Sequence, residues 1–479
     1  MLRPLHILTR SVVLPLVLFG LLSASPVLAE LKLPAMFTSG GVLQQQMQVP
    51  VWGWADAGAE VKVAFAEQTK TTKAGDDGKW SVTLDPLTLN REPAAMTVSS
   101  GDANLTVENL LVGEVWFCSG QSNMEWTISR SDVPEFVKPD KLSMIRHIKV
   151  PHVRASTPAD DFKGAWQVSN AQTAPNFTAV GYFFAYQLQK ALDVPVGLIG
   201  CNWGGTRIEP WTPPAGFAAV EELKDAKLGD KSTMFNGMAA AVQPYAIRGA
   251  IWYQGESNGG EGESYYQKMK ALVLGWRTTW DQGEFPFYFV QLANFRNPNP
   301  DAAGGDGWAR LREAQLKTIR EVPKTGMAVI TDIGDARDIH PKNKYDVGSR
   351  LALWALANDY KIKDTVYSGP LYKAMAVEKD KIRITFDHVG GGLQAARKEN
   401  ARSVEPPKPV DKLAGFAIAG ADQKWVWADA VVDGDAILVS SAEVKEPVAV
   451  RYAFSMNPDK ANLYNQEGLP AAPFRTDTW

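Results

Sequence analysis

Four short clusters carry side chains whose types and spacing suit nucleophilic acyl transfer. The first is Cys118-Ser119-Gly120-Gln121-Ser122-Asn123-Met124. Its small residues let the backbone turn sharply and expose one hydroxyl where main-chain N–H groups favour developing negative charge. Ser122 is the candidate nucleophile; the bland alternative is that Ser119 and Ser122 only cap a helix. In Trp203-Gly204-Gly205-Thr206-Arg207, the paired glycines allow close backbone approach. An N–H of Gly204 or Gly205 would then donate to an oxyanion, unless the pair is a plain tight turn. In Trp252-Tyr253-Gln254-Gly255-Glu256-Ser257-Asn258, the amides of Gln254 and Asn258 both qualify as a further oxyanion donor, and Glu256 would hold Arg207 or a neighbouring loop.

The fourth cluster, Thr331-Asp332-Ile333-Gly334-Asp335-Ala336-Arg337-Asp338-Ile339-His340-Pro341, supplies a base. Imidazole is matched to neutral pH, and the chain has five histidines. His6 lies in a leader-like segment. His147 and His152 lack a strand-end signature, and His388 sits in a later β-rich region. His340 remains. A nearby carboxylate would orient its Nδ1–H; Asp338 is nearest in sequence, with Asp335 and Asp332 as competitors.

These clusters need elements to hold them. Apolar runs of strand length at Leu111–Phe117, Val196–Gly200, Ala250–Tyr253, Phe287–Leu292 and Ala328–Thr331 alternate with helix-length amphipathic segments at Val180–Leu192, Tyr265–Trp280, Trp308–Ile319 and Val347–Leu356. That alternation predicts an α/β core with a parallel sheet and helices on both faces. Sites in such sheets form at the carboxyl ends of strands, where all four clusters fall. Before the core, Val49–Trp54, Val61–Phe65 and Trp80–Leu84 alternate at period two. After it, Ile382–Phe386, Ala436–Val439 and Val448–Tyr452 do the same. These predict β-sandwich-like domains on either side, with the polar, Pro-containing stretch Lys398–Pro409 as a long surface loop. The expected division is a signal peptide over 1–29, an N-terminal β domain over 30–108, the α/β domain over 109–362 and a C-terminal β domain over 363–479.

The leader has Arg3 and Arg10 ahead of an uncharged apolar run from Val12 to Leu22, and small residues before a cut at Glu30. It reads as an export signal, and the apolar run is too short to span a bilayer at about 20 residues. The expectation is an exported protein, periplasmic or secreted, with no membrane span after cleavage. The 479 residues carry 50 basic and 53 acidic side chains, so no basic footprint for nucleic acid is present. Two cysteines exclude a disulfide scaffold and a cysteine-ligated zinc cluster. Cys118 and Cys201 each end a strand, and two buried thiols are expected rather than a bridge. Sixteen Trp and thirteen Tyr are a heavy load of flat amphipathic rings, of the kind that line sugar-binding surfaces or pack cores.

The order serine, glycine, amide, histidine resembles the four blocks of the SGNH-hydrolase (GDSL-like) superfamily. More closely, Gly113-Glu114-Val115-Trp116 through Gln121-Ser122-Asn123-Met124, Trp203-Gly204-Gly205-Thr206, Trp252–Asn258 and Asp338-Ile339-His340-Pro341 resemble the sialate O-acetylesterase family of carbohydrate esterases. Pro50-Val51-Trp52-Gly53-Trp54 and Asn462-Leu463-Tyr464-Asn465 extend that likeness to the flanks. The resemblance implies a flavodoxin-like, three-layer αβα core and a serine esterase that removes O-acetyl groups from sugars without metal or organic cofactor. It also implies Ser122 as nucleophile, His340 as base and Asp338 as orienting acid. The oxyanion hole would come from the Ser122 backbone, Gly204 or Gly205, and Gln254. Two departures stand out. The wider superfamily places the acid three residues before the histidine, where this chain has Arg337; the Asp-Ile-His-Pro form of the narrower family has it two before, so Asp338 is favoured and Asp335 stays open. The wider superfamily also has Asn in its third block, where this chain has Gln254. Trp203, Arg207, Glu256 and Asn258 are the residues expected to touch the sugar. Arg207 would either meet a sialic carboxylate or pair with Glu209 or Glu256. Acetylated xylan or xyloglucan are alternative substrates. A non-catalytic glycan-binding protein, and a metal-dependent hydrolase using Asp332, Asp335, Asp338 and His340, are the readings from other classes.

Overall fold

The computed structural model describes Met1 and residues 30–479 apart from positions 139 and 140. The export-signal reading of residues 1–29 therefore lies outside the described residues, Met1 excepted. Among the described residues no helix is long and apolar enough to cross a membrane.

The first strands are β1 (Val42–Gln44), β2 (Val49–Trp54), β3 (Glu60–Phe65), β4 (Gln68–Lys73), β5 (Lys79–Leu84), β6 (Asn90–Ser100) and β7 (Ala103–Gly120). The three strands expected from period-two alternation are present, each within a residue of its expected limits. The expected boundary between residues 108 and 109 falls inside β7, an uninterrupted strand of 18 residues. Its first half pairs antiparallel with β6. Its second half is the centre of the core sheet.

That core adds α1 (Ser122–Glu125), β8 (Ile145–Lys149), β9 (Gln167–Val168), α2 (Ala179–Leu192), β10 (Val196–Asn202), α3 (Pro214–Ala218), β11 (Gly249–Tyr253), α4 (Ser264–Trp280), β12 (Phe287–Val290), α5 (Gly307–Glu321), β13 (Thr325–Ala328) and α6 (Lys344–Asn358). The spatial order is β13-β12-β11-β7-β10-β8-β9, parallel throughout except for β9. The chain lays β8, β9 and β10 on one side of β7, returning with β10 beside it, and then crosses to the other side with β11, β12 and β13. The carboxyl ends of β10, β7 and β11 meet where that reversal occurs, the usual position of a ligand crevice.

Alternation along β7 shows how the layers form. Trp116 and Cys118 join a core with Phe183, Phe184, Val347 and Leu351 of α2 and α6. Val115 and Phe117 point the other way, into a core with Leu272 and Trp276 of α4 and Leu311 of α5. Helices thus cover both faces of a mostly parallel sheet, as expected. Gly348 lets α6 approach α2 closely, because a Cβ there would stand 2.7 Å from Phe184 N. The expected fifth strand at Ala328–Thr331 is instead β13 at Thr325–Ala328, three residues earlier. The apolar run Met327–Ile330 drew the expectation too far along the chain. Strand β8 was not expected at all.

Cys118 and Cys201 are free and buried. They lie on neighbouring strands, but Cys118 pairs with Gly200 and Cys201 with Ser119. One residue out of register places them on opposite faces of the sheet.

Additional β regions follow. Leu371–Glu378, Lys381–Asp387, Asp429–Asp433 and Ala436–Ser440 form one four-stranded sheet, and Phe416–Gly420, Trp425–Trp427, Pro447–Tyr452 and Phe474–Arg475 another. They enclose their own apolar core around Ile384, Ile418, Ile437 and Val450. Fully buried Arg312 of α5 clamps this region to the α/β core, donating to Leu292 O, Ala293 O and Ser455 O. Residues 398–409 are largely loop as expected, but Lys398 is buried and bonds Asp346 of α6 at 2.5 Å.

Candidate active site

Ser122 is the first residue of α1, directly after β7, and Gln121 rather than a serine occupies the cap position. Gly120 makes the turn. Its φ is +136° and a Cβ there would lie 2.2 Å from Tyr253 O, so only glycine fits between the ends of β7 and β11. Ser122 Oγ lies 3.0 Å from His340 Nε2, and His340 Nδ1 lies 3.1 Å from Asp338 Oδ1. The same carboxylate oxygen accepts the His340 main-chain N–H at 2.9 Å. With Nδ1–H donating to Asp338, Nε2 is left to accept the serine proton.

Asp335 does not reach the histidine; it caps the Arg337 amide two residues on. Asp332 is bound through both oxygens by Arg350 of α6, at 2.6 and 2.7 Å. The acidic run therefore does not converge on His340. Among the described residues no three His, Cys, Asp or Glu side chains are grouped to hold a metal.

Electrostatics tune the pair. Burial lowers the proton affinity of His340; Asp338 opposes this, while Lys344 and Arg130 add to it, and the net shift is downward. Burial presses the Asp338 carboxyl upward, but the His340 amide and Lys342 outweigh it and hold it below the usual carboxylate range.

The remaining expected residues divide. Gly204 packs against the nucleophile, its missing Cβ 3.2 Å from Ser122 Cβ. Its N–H, however, donates to Glu125 Oε2 at 2.8 Å. Gly205 has φ +73° and open space where a side chain would stand. Gln254 corrects the sequence expectation. Its side chain is fully buried, and its Nε2 donates to Thr206 O at 3.1 Å and to Asn258 Oδ1 at 2.7 Å. Its Oε1 accepts from Tyr265 Oη at 2.6 Å. Both N–H groups are spent inside the protein, so this amide is no oxyanion donor. Asn258 is likewise buried and bonded to Ile208 N, Glu209 and Glu261; it braces the loop and does not meet a sugar. Glu256 does not hold Arg207. Its Oε1 accepts from Asn123 Nδ2 at 2.6 Å. Arg207, half exposed, is ion-paired with Glu209 and Glu261, which satisfies its charge without a substrate carboxylate. Trp203 stays at the rim as an aromatic wall, its ring parallel to His152 at 4.5 Å and 4°.

Sequence reasoning missed the other half of this wall. Glu125 accepts from Lys149 Nζ at 2.9 Å and lies 2.9 Å from His152 Nε2. Burial raises the Glu125 carboxyl, but Lys149, the Gly204 amide and His152 overcome that and hold it low. Lys149 is the last residue of β8 and His152 follows it in the next loop, so recognising that strand was the signal that would have found them. Trp126, which stacks on His340, was also missed. Beside Gly205 opens a recess of about 470 Å³, lined by Arg154, Thr206, Arg207, Pro210, Lys227 and Lys268 among others.

A serine, a histidine and a carboxylate in hydrogen-bond sequence at the carboxyl end of a parallel sheet form the constellation for hydrolysing an ester. Comparison with known proteins agrees. Residues 112–356 match the family model described as carbohydrate esterase, sialic acid-specific acetylesterase. The chain is 28% identical to the sialate O-acetylesterase of Rattus norvegicus, covering 88% of this chain and 90% of that one. It is 28% identical to the Homo sapiens protein of the same name, covering 82% of each. The crystal structure of a carbohydrate acetylesterase from Xanthomonas citri superposes with a TM-score of 0.85 at 39% identity, covering 94% of this chain and all of that one. The match spans the four strand-end clusters and the sheet that presents them, and it makes this chain a carboxylic ester hydrolase belonging to the carbohydrate esterase family of sialic acid-specific acetylesterases.

Proposed function

We propose that the chain is an exported serine esterase that removes O-acetyl groups from carbohydrates through an acetyl-enzyme. The observation that carries this is the unbroken relay from Ser122 Oγ to His340 Nε2 at 3.0 Å and from His340 Nδ1 to Asp338 at 3.1 Å. Ser122 attacks the acetyl carbonyl while His340 takes its proton, and Asp338 steadies the imidazolium. The Ser122 N–H, at the first helical position, has no acceptor within its own helix and donates to the oxyanion. The second donor comes from the glycine turn. Gly204 N–H is engaged by Glu125, so Gly205 N–H takes this role. His340 returns its proton to the departing sugar hydroxyl. Water then cleaves the acetyl-serine by the same route, and acetate leaves.

The sugar lies against Trp203 and the recess beside Gly205. Likeness to the rat and human proteins named sialate O-acetylesterase supports acetylated sialic acid as the first reading of the substrate. The pairing of Arg207 with Glu209 and Glu261 supports a neutral acetylated polysaccharide such as xylan or xyloglucan as the second reading. Acetate release decides between them, measured on p-nitrophenyl acetate, O-acetylated sialic acid, acetylated xylan and acetylated xyloglucan, for wild type and Ser122→Ala, with and without chelator. Release that ignores chelator and vanishes in Ser122→Ala supports the serine mechanism, and the fastest substrate names the class. Release that survives Ser122→Ala overturns it. Export is tested separately, by whether the chain made in a bacterial host reaches the periplasm without residues 1–29.

A further inference from the structure

Behind the relay lies a buried cation that the mechanism above does not use. Lys344 is the first residue of α6 and fully enclosed. Its Nζ donates to Asn123 Oδ1 and lies 5.1 Å from the ring centre of Tyr253 and 5.9 Å from that of Trp126. A lysine with so little water is rare unless its charge is answered. Here aromatic faces, one amide oxygen and a carboxylate one step away answer it. That carboxylate is Glu256, which meets the same amide from the other end.

Asn123 is the link. It adjoins Ser122 in sequence, and its Nδ2 donates both to Glu256 Oε1 at 2.6 Å and to Ile339 O at 3.0 Å. Ile339 immediately precedes His340. One amide thus ties the loop after β7, the loop after β11 and the loop that carries the base. An amide can be turned either way. Lys344 can only donate, so it requires Oδ1 on its side and sends Nδ2 toward Ile339 O and Glu256. Trp126, the ring that stacks on His340 at 4.6 Å, stands over the same ammonium.

We propose that Lys344 is a positioning residue that fixes the Asn123 amide between the nucleophile and base loops and holds a positive charge behind His340. This rests on the esterase reading of Ser122 and His340. The charges around the imidazole are Asp338 and Lys342 in its own turn, Arg130 against Trp126, Lys344 at the start of α6, and Glu256 after β11. Burial brings Lys344 down to about 7, so it is charged through the acid range in which His340 takes up its proton. A cation there resists formation of the imidazolium, so less base is lost to protonation in mildly acid solution.

The test is the pH profile of kcat/KM on p-nitrophenyl acetate for wild type, Lys344→Met, Lys344→Gln and Lys344→Arg, with thermal melting to confirm folding. Removing the charge makes His340 easier to protonate, so the acid limb of Lys344→Met moves to higher pH by about half a unit, and kcat falls about tenfold as the Asn123 amide loses its fixed orientation. Lys344→Arg keeps the acid limb at the wild-type pH even if kcat drops. Lys344→Gln shares the upward shift and carries the prediction if the Met variant does not fold. An acid limb that stays put in the neutral variants overturns the proposal, as does an equal shift in the Arg and neutral variants. If Ser122→Ala retains acetate release, the reading of the relay itself falls. If release depends on Ser122 and the limb does not move, the role of Lys344 alone is refuted.

Discussion

The ring of Trp126 lies against that of His340, with centroids 4.6 Å apart and planes 18° apart. Trp126 is itself fixed, its Nε1 donating to Arg130 O at 2.8 Å, and Arg130 and Lys342 sit over its face at 3.6 and 4.1 Å. The stack limits rotation of the imidazole and keeps Nε2 on Ser122. Trp126→Ala is expected to lower kcat about tenfold, an orientation effect, while Trp126→Phe stays within about threefold of wild type because a flat ring remains. Steady-state kinetics on p-nitrophenyl acetate check this; equal losses in both variants would contradict the orienting role.

The pH dependence follows from the same histidine. The base works neutral, so activity falls as His340 gains a proton. Burial and the neighbouring cations set that event below the ordinary imidazole value of about 6.5. The acid limb of kcat/KM in the wild type is therefore expected below pH 6.5. Asp338 is the group that favours the protonated form. Asp338→Asn should move the limb further down and lower kcat about a hundredfold or more, by losing the tautomer and the stabilised imidazolium. An upward shift in that variant would be inconsistent with the observed contact.

Gln254 separates a structural amide from an oxyanion donor. Removing an oxyanion donor costs about a hundredfold or more in rate. Removing a buried, fully bonded amide costs stability, on the order of 3 kcal/mol for the partners left unsatisfied. Gln254→Ala is expected to lower the melting temperature clearly and to leave the kcat of the folded fraction within about threefold of wild type. A stable variant with a hundredfold loss of kcat would return Gln254 to the oxyanion hole.

Gly120 is constrained twice, by its φ and by the 2.2 Å approach to Tyr253 O. Gly120→Ala would have to push β7 and β11 apart just before the nucleophile. It is expected to reach the soluble fraction poorly, or to melt far below wild type and hydrolyse esters at less than about a hundredth of the normal rate. Gly283→Ala, at a positive φ with nothing within 4 Å, is the control for backbone strain without a clash. Equal melting temperatures in the two variants would refute the steric account.

Much of this molecule could be read from its residue pattern. Periodicity located α2, α4, α5 and α6 because each has a clear apolar stripe. The strand-end clusters singled out Ser122 and His340 as candidates because sharp turns and a neutral-pH base demand particular residue types, but they left the choice among Asp338, Asp335 and Asp332 open. What stayed hidden depended on partners far along the chain. Strand β8 looks broken by Arg146 and His147, yet both are buried. Arg146 bonds Gly40 O and Asn109 O, and His147 stacks on Phe177 at 4.6 Å. No local pattern shows that the guanidinium of Arg146 is met by distant carbonyls or that the His147 ring packs on a distant phenyl. The role of Gln254 was hidden for the same reason. Whether an amide faces a substrate or the interior was decided by Tyr265, the second residue of α4, and by the carbonyl of Thr206. The pairing of Arg207 was half legible: Glu209 was foreseen, but Glu261 lies 54 residues away.

The length of β7 has a consequence for how the protein can be divided. One rod of backbone begins among the N-terminal strands, becomes the middle strand of the core and ends two residues before Ser122. Glu114, buried near its midpoint, is gripped by Gln45 from before the rod and by Arg248 and Tyr360 from after it. The N-terminal strands are therefore no detachable cassette. A cut anywhere near residue 108 leaves a ragged edge in the sheet whose tip carries the serine. Gene fusions, truncations or swaps between relatives should keep residues 31–120 in one piece, because the register that aims the nucleophile is set by pairing that begins at Val42.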